Sequence, residues 1–250
     1  MPEMYEVKRV ADYLVNESKM VGSTIKSFRF LNKGERILKN IEVNDFLNLI
    51  HNQSICSIQT KGKFTFVQLE KDVLQLHYRF TGVPHLQGKC ISEYLSTIYS
   101  LPLHVSSISK YQRFQLKTSS GDVLNFVDTR CLSTIHYFSN MRVENTPTFK
   151  KLALDLFECQ QIDIQFFLTR GNQPLKQYLM DQYIALSGIC NYLASEICSY
   201  ANIHPHSLIK SLQEKEINQL NIALHTVHKV AVESHEYHWF QVFNKEECSK

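Results

Sequence analysis

The stretch LKQYLMDQYIALSGICNYLASE, Leu175 to Glu196, decides how the second half of the chain is read. From Pro174 onward, Leu175, Leu179 and Tyr183 recur at helical spacing and predict a helix with one apolar face. Ser187-Gly188 interrupts it, and a second helix is predicted from about Asn191, with Leu193 and Ile197 inward, stopping near Asn202 and Pro205. The start of a helix exposes unpaired N–H groups and partial positive charge, so this second helix can hold a phosphate. Asn191, in its first turn, can add a side-chain donor to the same anion. The same residues also fit an ordinary helical hairpin in which Asn191 only caps a helix.

Working outward, Ser211-Leu-Gln-Glu214 has the spacing of a capping box and predicts a last helix through Ile217, Leu220, Leu224 and Val227. Upstream, helical periodicity begins after Asn145-Thr146-Pro147-Thr148 with Leu152, Leu154, Leu156 and Phe157, and continues at Ile162 and Phe166-Phe167. Before that point the period is two. Ser54 to Glu70, Val73 to Gly82, Arg113 to Ser120 and Val123 to Arg130 alternate and read as strands, with Ser119-Ser120-Gly121-Asp122 as a hairpin turn. Helices are expected over Tyr5 to Ser18 and Val43 to His51. The expected fold is α+β in two domains, β-rich over 1–143 and helical over 149–250, with a linker near Arg142 to Thr148.

The 250 residues include 27 Lys+Arg against 24 Asp+Glu, a net charge of +3 that permits a nucleic-acid partner without demonstrating one. A content of 44% hydrophobic residues argues against disorder. Seven scattered cysteines, with no CxxC pair or metal-like cluster, fit a reducing compartment. The opening MPEMYEVKRV carries charge where a signal peptide needs an apolar core, and no apolar run reaches membrane-spanning length. A soluble intracellular protein, nuclear or cytoplasmic, is expected.

That opening also carries chemistry. Removal of Met1 leaves Pro2 with a secondary amine, and an α-amino group of pKa roughly 8 is partly unprotonated near neutrality. Such an amine can attack a sugar or carbonyl carbon and form an iminium, with Glu3 and Glu6 close by as acid or proton shuttle. Taken alone, a Met-Pro-Glu start is as well read as incidental.

Together the two ends are specific. MPEMYEVKRVADYL resembles the MPELPEV or MPEGPE opening of the formamidopyrimidine-DNA glycosylase/endonuclease VIII (Fpg/Nei) family, and LMDQYIALSGICNYLASE followed by ANIHP (Ala201 to Pro205) resembles its helix–two-turn–helix signature. KGKF (Lys61 to Phe64), LHYRFTG (Leu76 to Gly82) and DTRCL (Asp128 to Leu132) fall in the order of three further family blocks.

The resemblance implies an N-terminal β-sandwich with flanking helices and a helical domain carrying the helix–two-turn–helix motif. It implies a monomer that acts on damaged DNA laid in the cleft between the domains, with duplex the expected substrate and single-stranded DNA left open. The implied activity is that of a bifunctional glycosylase/AP lyase in base excision repair: Pro2 attacks C1′ of the damaged nucleotide, and Glu3 serves as general acid and shuttle. Glu6 supports the same site, Lys63 contacts phosphate near the lesion, and Asn191, with Gly188 in the two-turn element, grips phosphate. Void-filling side chains for the extruded base align with Phe80, Arg130 and Leu132, of which Phe80 and Leu132 read equally well as core residues on strands. No cofactor and no metal are needed.

The chain departs from the family pattern in several places. Tyr5 stands where a proline is usual, and Cys190 where a glycine precedes the asparagine, which should make that turn less permissive. The block usually written DPRRFG reads Asp128 to Ser133 as DTRCLS. FQVFNKEECSK (Phe240 to Lys250) resembles the approach to the family's four-cysteine zinc finger. Cys248 reads either as a first ligand of such a finger or as an ordinary thiol where the finger has been lost; one cysteine cannot hold structural zinc, so none is expected in these residues. The short connection over Val230 to Phe243 suggests an endonuclease VIII-like preference for oxidised pyrimidines and hydantoins. Scarce Gly with frequent Lys, Asn and Ile hints at an AT-rich genome, a large DNA virus being one such source. The rival readings are a damaged- or branched-DNA-binding module of the same fold with weak or no catalysis, and an unrelated helical-hairpin nucleic-acid protein.

Overall fold

The computed structural model describes residues 3–88, 109–157 and 171–233. They form two compact units, one of residues 6–88 and 109–150 and one of Glu3–Tyr5 with 151–157 and 171–233.

The first unit is built from two four-stranded antiparallel sheets. Strands β1 (Ile25–Phe30), β6 (Gln112–Thr118), β7 (Val123–Asp128) and β5 (Gly82–Leu86) form one, in the order β1-β6-β7-β5. Strands β2 (Ile55–Lys61), β3 (Phe64–Leu69), β4 (Val73–His77) and β8 (Thr134–Phe138) form the other, in that order. Period-two alternation puts Phe114 and Leu116 of β6 opposite Phe126 and Leu124 of β7, all facing the core. The Phe114 and Phe126 rings stack at 4.8 Å, and Phe28 of β1 stacks on Phe114 at 4.7 Å. The other sheet contributes Ile55, Leu69, Leu74 and Ile135 to the same core. Helix α1 (Met4–Glu17) adds Val7, Val10 and Leu14, spaced along one face, and α2 (Val43–Ile50) adds Phe46 and Ile50. Each such side chain, fully buried, contributes about 1.5–3 kcal/mol.

The stretch Ser54 to Glu70, which alternates throughout, is two strands and not one. Gly62, at φ +56°, turns the chain between β2 and β3 with Lys63 beside it. The expected linker is structured: Val143–Asn145 is a 3-10 turn, Val143 and Thr146 are buried, and α3 (Pro147–Lys151) follows. The helix expected through Leu152 to Phe157 stops at Lys151. Beyond it the backbone is recruited by the loop over 181–190, Ala153 N–H donating to Gln182 O and Ser187 N–H to Leu154 O. Ile162, Phe166 and Phe167 lie outside the described residues.

The second unit packs α4 (Leu175–Met180), α5 (Asn191–Tyr200) and α6 (Glu214–Glu233) around Leu175, Leu179, Leu193, Ile197, Leu220, Leu224 and Val227. Helix α4 is shorter than its apolar spacing predicts: it ends at Asp181, so Tyr183 leaves the shared face and is 56% exposed, while Tyr178 is buried instead. Helix α6 is not capped by Ser211, whose hydroxyl donates to Leu208 O. Gln213 precedes the helix, and its N–H is taken by the Glu216 carboxylate at 2.7 Å, so the capping interaction falls two residues later than the sequence spacing suggests. Among the described residues no helix is long and apolar enough to cross a membrane.

Candidate active site and nucleic-acid interface

In the second unit the decisive element is the start of α5. Gly188 has φ +103°, a conformation open to glycine and strained for L side chains, and a Cβ there would run into the Met4 side chain. Gln182 staples this turn: its Oε1 accepts from Gly188 N–H at 2.7 Å, and its Nε2 donates to Ile189 O at 2.8 Å. Cys190 is extended at φ −120°, so the expected penalty for lacking a glycine there does not arise; the residue that must be glycine is Gly188. Sequence reading missed Gln182, although it lies inside the helix–two-turn–helix signature.

The first turn of α5 leaves its N–H groups open, and they are taken by Glu3, which is 2% exposed. Glu3 Oε2 accepts from Cys190 N–H at 2.7 Å, and Oε1 accepts from Tyr192 and Leu193 N–H at 3.2 Å each. The partial positive charge of a helix start favours the carboxylate form of such a group. Asn191 therefore does not cap α5: it is the first helical residue, and its side chain is exposed. Met4 N–H donates to Gly188 O at 3.3 Å, a further tie between the N-terminal turn and the same loop. Pro2 lies outside the described residues.

In the first unit, Phe80, Arg130 and Leu132 lie in the loops after β4 and β7, not on strands. Phe80 and Leu132 are 46% and 47% exposed, which overturns their reading as core residues. The Arg130 guanidinium sits 5.8 Å from the centre of the Phe80 ring, within cation–π reach. Arg79 and Cys131, flanking these side chains, have left-handed backbones at φ +54° and +53°, costing roughly 1–2 kcal/mol each without a glycine. Asp128, fully buried, holds both loops: its carboxylate accepts from Thr81 Oγ1, from Arg130 N–H at 3.1 Å and from Ser133 N–H at 2.8 Å. Arg113 Nε donates to Asp128 O at 2.7 Å. Asp128 stood in the DTRCL block without an assigned role, because one of its partners, Thr81, is contributed by a second loop.

Lys63 is buried beside the β2–β3 turn. His77, at the end of β4, pairs in register with Phe64, and its ring centre lies 4.7 Å from that of Phe64. Burial, with the nearby charges of Arg79, Lys63 and His136, pushes the His77 imidazole from its usual 6.5 down to about 3, so it is neutral at physiological pH. Its Nδ1 is buried and meets no hydrogen-bond partner among the described residues. LHYRFTG contained this histidine, but nothing in the spacing placed it beside Lys63. Glu6 is half-buried in the first turn of α1.

The model of the formamidopyrimidine-DNA glycosylase N-terminal domain matches residues 1–135. The chain belongs to this family. The formamidopyrimidine-DNA glycosylase of Mycoplasma pneumoniae is 31% identical over 216 residues, spanning 85% of this chain and 71% of the relative. That of Ureaplasma parvum is 30% identical over 224 residues, spanning 88% and 74%. Among solved structures, the Lactococcus lactis Fpg complexed with DNA containing an abasic site superimposes with a TM-score of 0.73 at 21% identity, over 92% of this chain and 79% of that one. MutM complexed with DNA containing carbocyclic 8-oxo-G gives 0.72 at 22% identity over the same shares. At these identities the structural likeness establishes the two-part Fpg fold, an antiparallel β unit and a helical unit, as the sequence resemblance implied.

Proposed function

We propose that the chain is a bifunctional DNA glycosylase/AP lyase of base excision repair whose nucleophile is the amine of Pro2. Formamidopyrimidine-DNA glycosylases are DNA N-glycosylases with AP lyase activity, and family membership supports the activity class. The single observation carrying the mechanism is the Glu3 carboxylate held on three N–H groups at the start of α5, one residue after Pro2 in the chain.

The ionised carboxylate of Glu3, next to Pro2 in the chain, is assigned the role of proton acceptor first and acid second. The Pro2 nitrogen bonds to C1′ as the N-glycosidic bond breaks, and the base leaves with the bonding electrons and takes a proton from water. The nitrogen gives up its own proton to Glu3, which delivers it to the ring oxygen as the sugar opens to the iminium. The iminium then draws electrons from the C2′–H bond. Loss of that proton expels the 3′ phosphate, and hydrolysis of the iminium restores the amine. Glu6 supports the same site. Lys63 and Asn191 hold backbone phosphate, Gly188 shaping the turn from which Asn191 projects, while Phe80, Arg130 and Leu132 fill the space left by the extruded nucleotide. Damaged DNA is thus the proposed partner, and the scheme needs no cofactor.

For substrate, the names of the relatives favour formamidopyrimidine lesions. The preference for oxidised pyrimidines rests on the segment Val230 to Phe243, most of which lies outside the described residues. Excision rates on matched duplexes carrying a formamidopyrimidine, 8-oxoguanine, thymine glycol or a hydantoin decide between the two.

The mechanism is tested by borohydride trapping on an oligonucleotide with one abasic site. The chain is expected to give a covalent band on a denaturing gel, abolished by an N-terminal extension that blocks Pro2. Trapping that survives the block would remove Pro2 from the mechanism, and binding without any band would favour a damage-binding module.

A further inference from the structure

Tyr5 occupies the position where the family opening carries proline, and its side chain does something a proline cannot. It is 2% exposed, its ring meets Phe157 edge-on at 5.1 Å, and its hydroxyl lies 2.9 Å from Nδ1 of His228 on α6. Phe157 closes the group against the His228 ring at 5.7 Å. His228 follows the buried Val227 and precedes the buried Ala231 on the helix. Glu3, Met4 and Tyr5 all belong to this unit.

A proline restricts its own φ and the conformation of the residue before it, limiting how far its neighbours stray. Tyrosine imposes neither restriction, so beyond the first turn of α1 the order of residues 3–5 rests on tertiary contacts. We propose that Tyr5 and His228 form a positioning pair that ties the N-terminal turn to α6 and thereby keeps the Glu3 carboxylate seated on the N–H groups of Cys190, Tyr192 and Leu193. Seating Glu3 matters for chemistry only if the Pro2 mechanism above holds, and the pair's catalytic consequence rests on that reading. Both partners are neutral. Burial raises Tyr5 well above its usual value, with Asp155 and Glu3 adding to the effect, and burial lowers His228, with His225 adding. In the Nε2–H tautomer of the neutral imidazole, the one this proposal assigns, Nδ1 accepts from the Tyr5 hydroxyl.

Four variants test the pair: Tyr5→Phe, which keeps the ring, His228→Phe, their combination, and His228→Asn, whose Oδ1 can replace Nδ1 as acceptor. The maximal single-turnover rate of borohydride trapping on abasic-site DNA should fall about five- to tenfold in each single Phe variant, the loss of one hydrogen bond of ordinary strength. The enzyme concentration at half-maximal rate should move less than about twofold, the double variant should be no slower than the slower single one, and His228→Asn should recover most of the rate. A merely structural pair would lower the melting temperature and leave the maximal rate unchanged. That result, or losses that multiply in the double variant, overturns the proposal. Amide hydrogen exchange at Cys190 and Leu193 reads the seating of Glu3 independently of chemistry and should accelerate by about the same factor in both Phe variants. Unchanged exchange overturns the pair even if the wild-type chain gives no trapped band, an outcome that by itself would sink the Pro2 mechanism instead.

Discussion

Replacing Glu3 by Gln is commonly taken to remove an acid while keeping shape, but here it should also damage the fold. The carboxylate answers three donors, two at Oε1 and one at Oε2. An amide has one oxygen. With that oxygen placed at the two-donor position, the NH2 group meets the N–H of Cys190, donor against donor, at a site where both residues are buried. Losing a charge-assisted bond and stranding a buried N–H costs about 2–4 kcal/mol. For a chain of this size that lowers the melting temperature by roughly 4–16 °C. The catalytic loss should be about 10²- to 10⁴-fold, the usual range for a proton-transfer group. Thermal unfolding followed by circular dichroism, paired with single-turnover trapping on abasic-site DNA, measures both. A Glu3→Gln melting temperature within about 1 °C of wild type would refute the reasoning, since it would mean that the α5 N–H groups do not depend on the carboxylate.

Three further predictions follow from the same kind of argument. Gly188→Ala forces an L residue to φ +103° and a Cβ into Met4, and it should lower the melting temperature by at least several degrees, whereas Cys190→Ala, on extended backbone, should be far milder; equal effects would remove the special status of Gly188. Asp128→Asn cannot accept from Thr81, Arg130 and Ser133 together, so affinity for abasic-site duplex, measured by fluorescence anisotropy, should fall by about tenfold or more, and unchanged affinity would detach the Phe80–Arg130–Leu132 loops from binding. His77 binds its proton near 6.5 when unfolded and only near 3 when folded, so its neutral form stabilises the fold fully above about pH 6.5, and that contribution is lost as pH falls toward 3. His77→Phe should flatten the decline in urea-unfolding free energy over that window; an unchanged slope would assign the decline to other groups.

The residues differ in how far they could be read without coordinates. Local signals sufficed where one segment supplies its own physics: the alternating stretches that hold β2, β3, β4, β6 and β7, the helices α1 and α2, and the start of α5 at Asn191. The specific opening and the helix–two-turn–helix signature likewise placed the chain in its family, because each is a contiguous run of residues. Periodicity failed where distant backbone competed for the same hydrogen bonds, as at Leu152 to Phe157, which pairs with the loop before α5. Only the tertiary structure decided that Gly188 and not position 190 bears the conformational demand, since that depends on a local φ and on the approach of Met4. It alone joined Glu3 to residues 190–193, Asp128 to Thr81, His77 to Lys63 and Tyr5 to His228. The physical reason is common to all four. Apolar spacing is written along the chain, whereas a buried polar group is satisfied by whatever the fold brings within about 3 Å, and that partner leaves no periodic trace in the sequence.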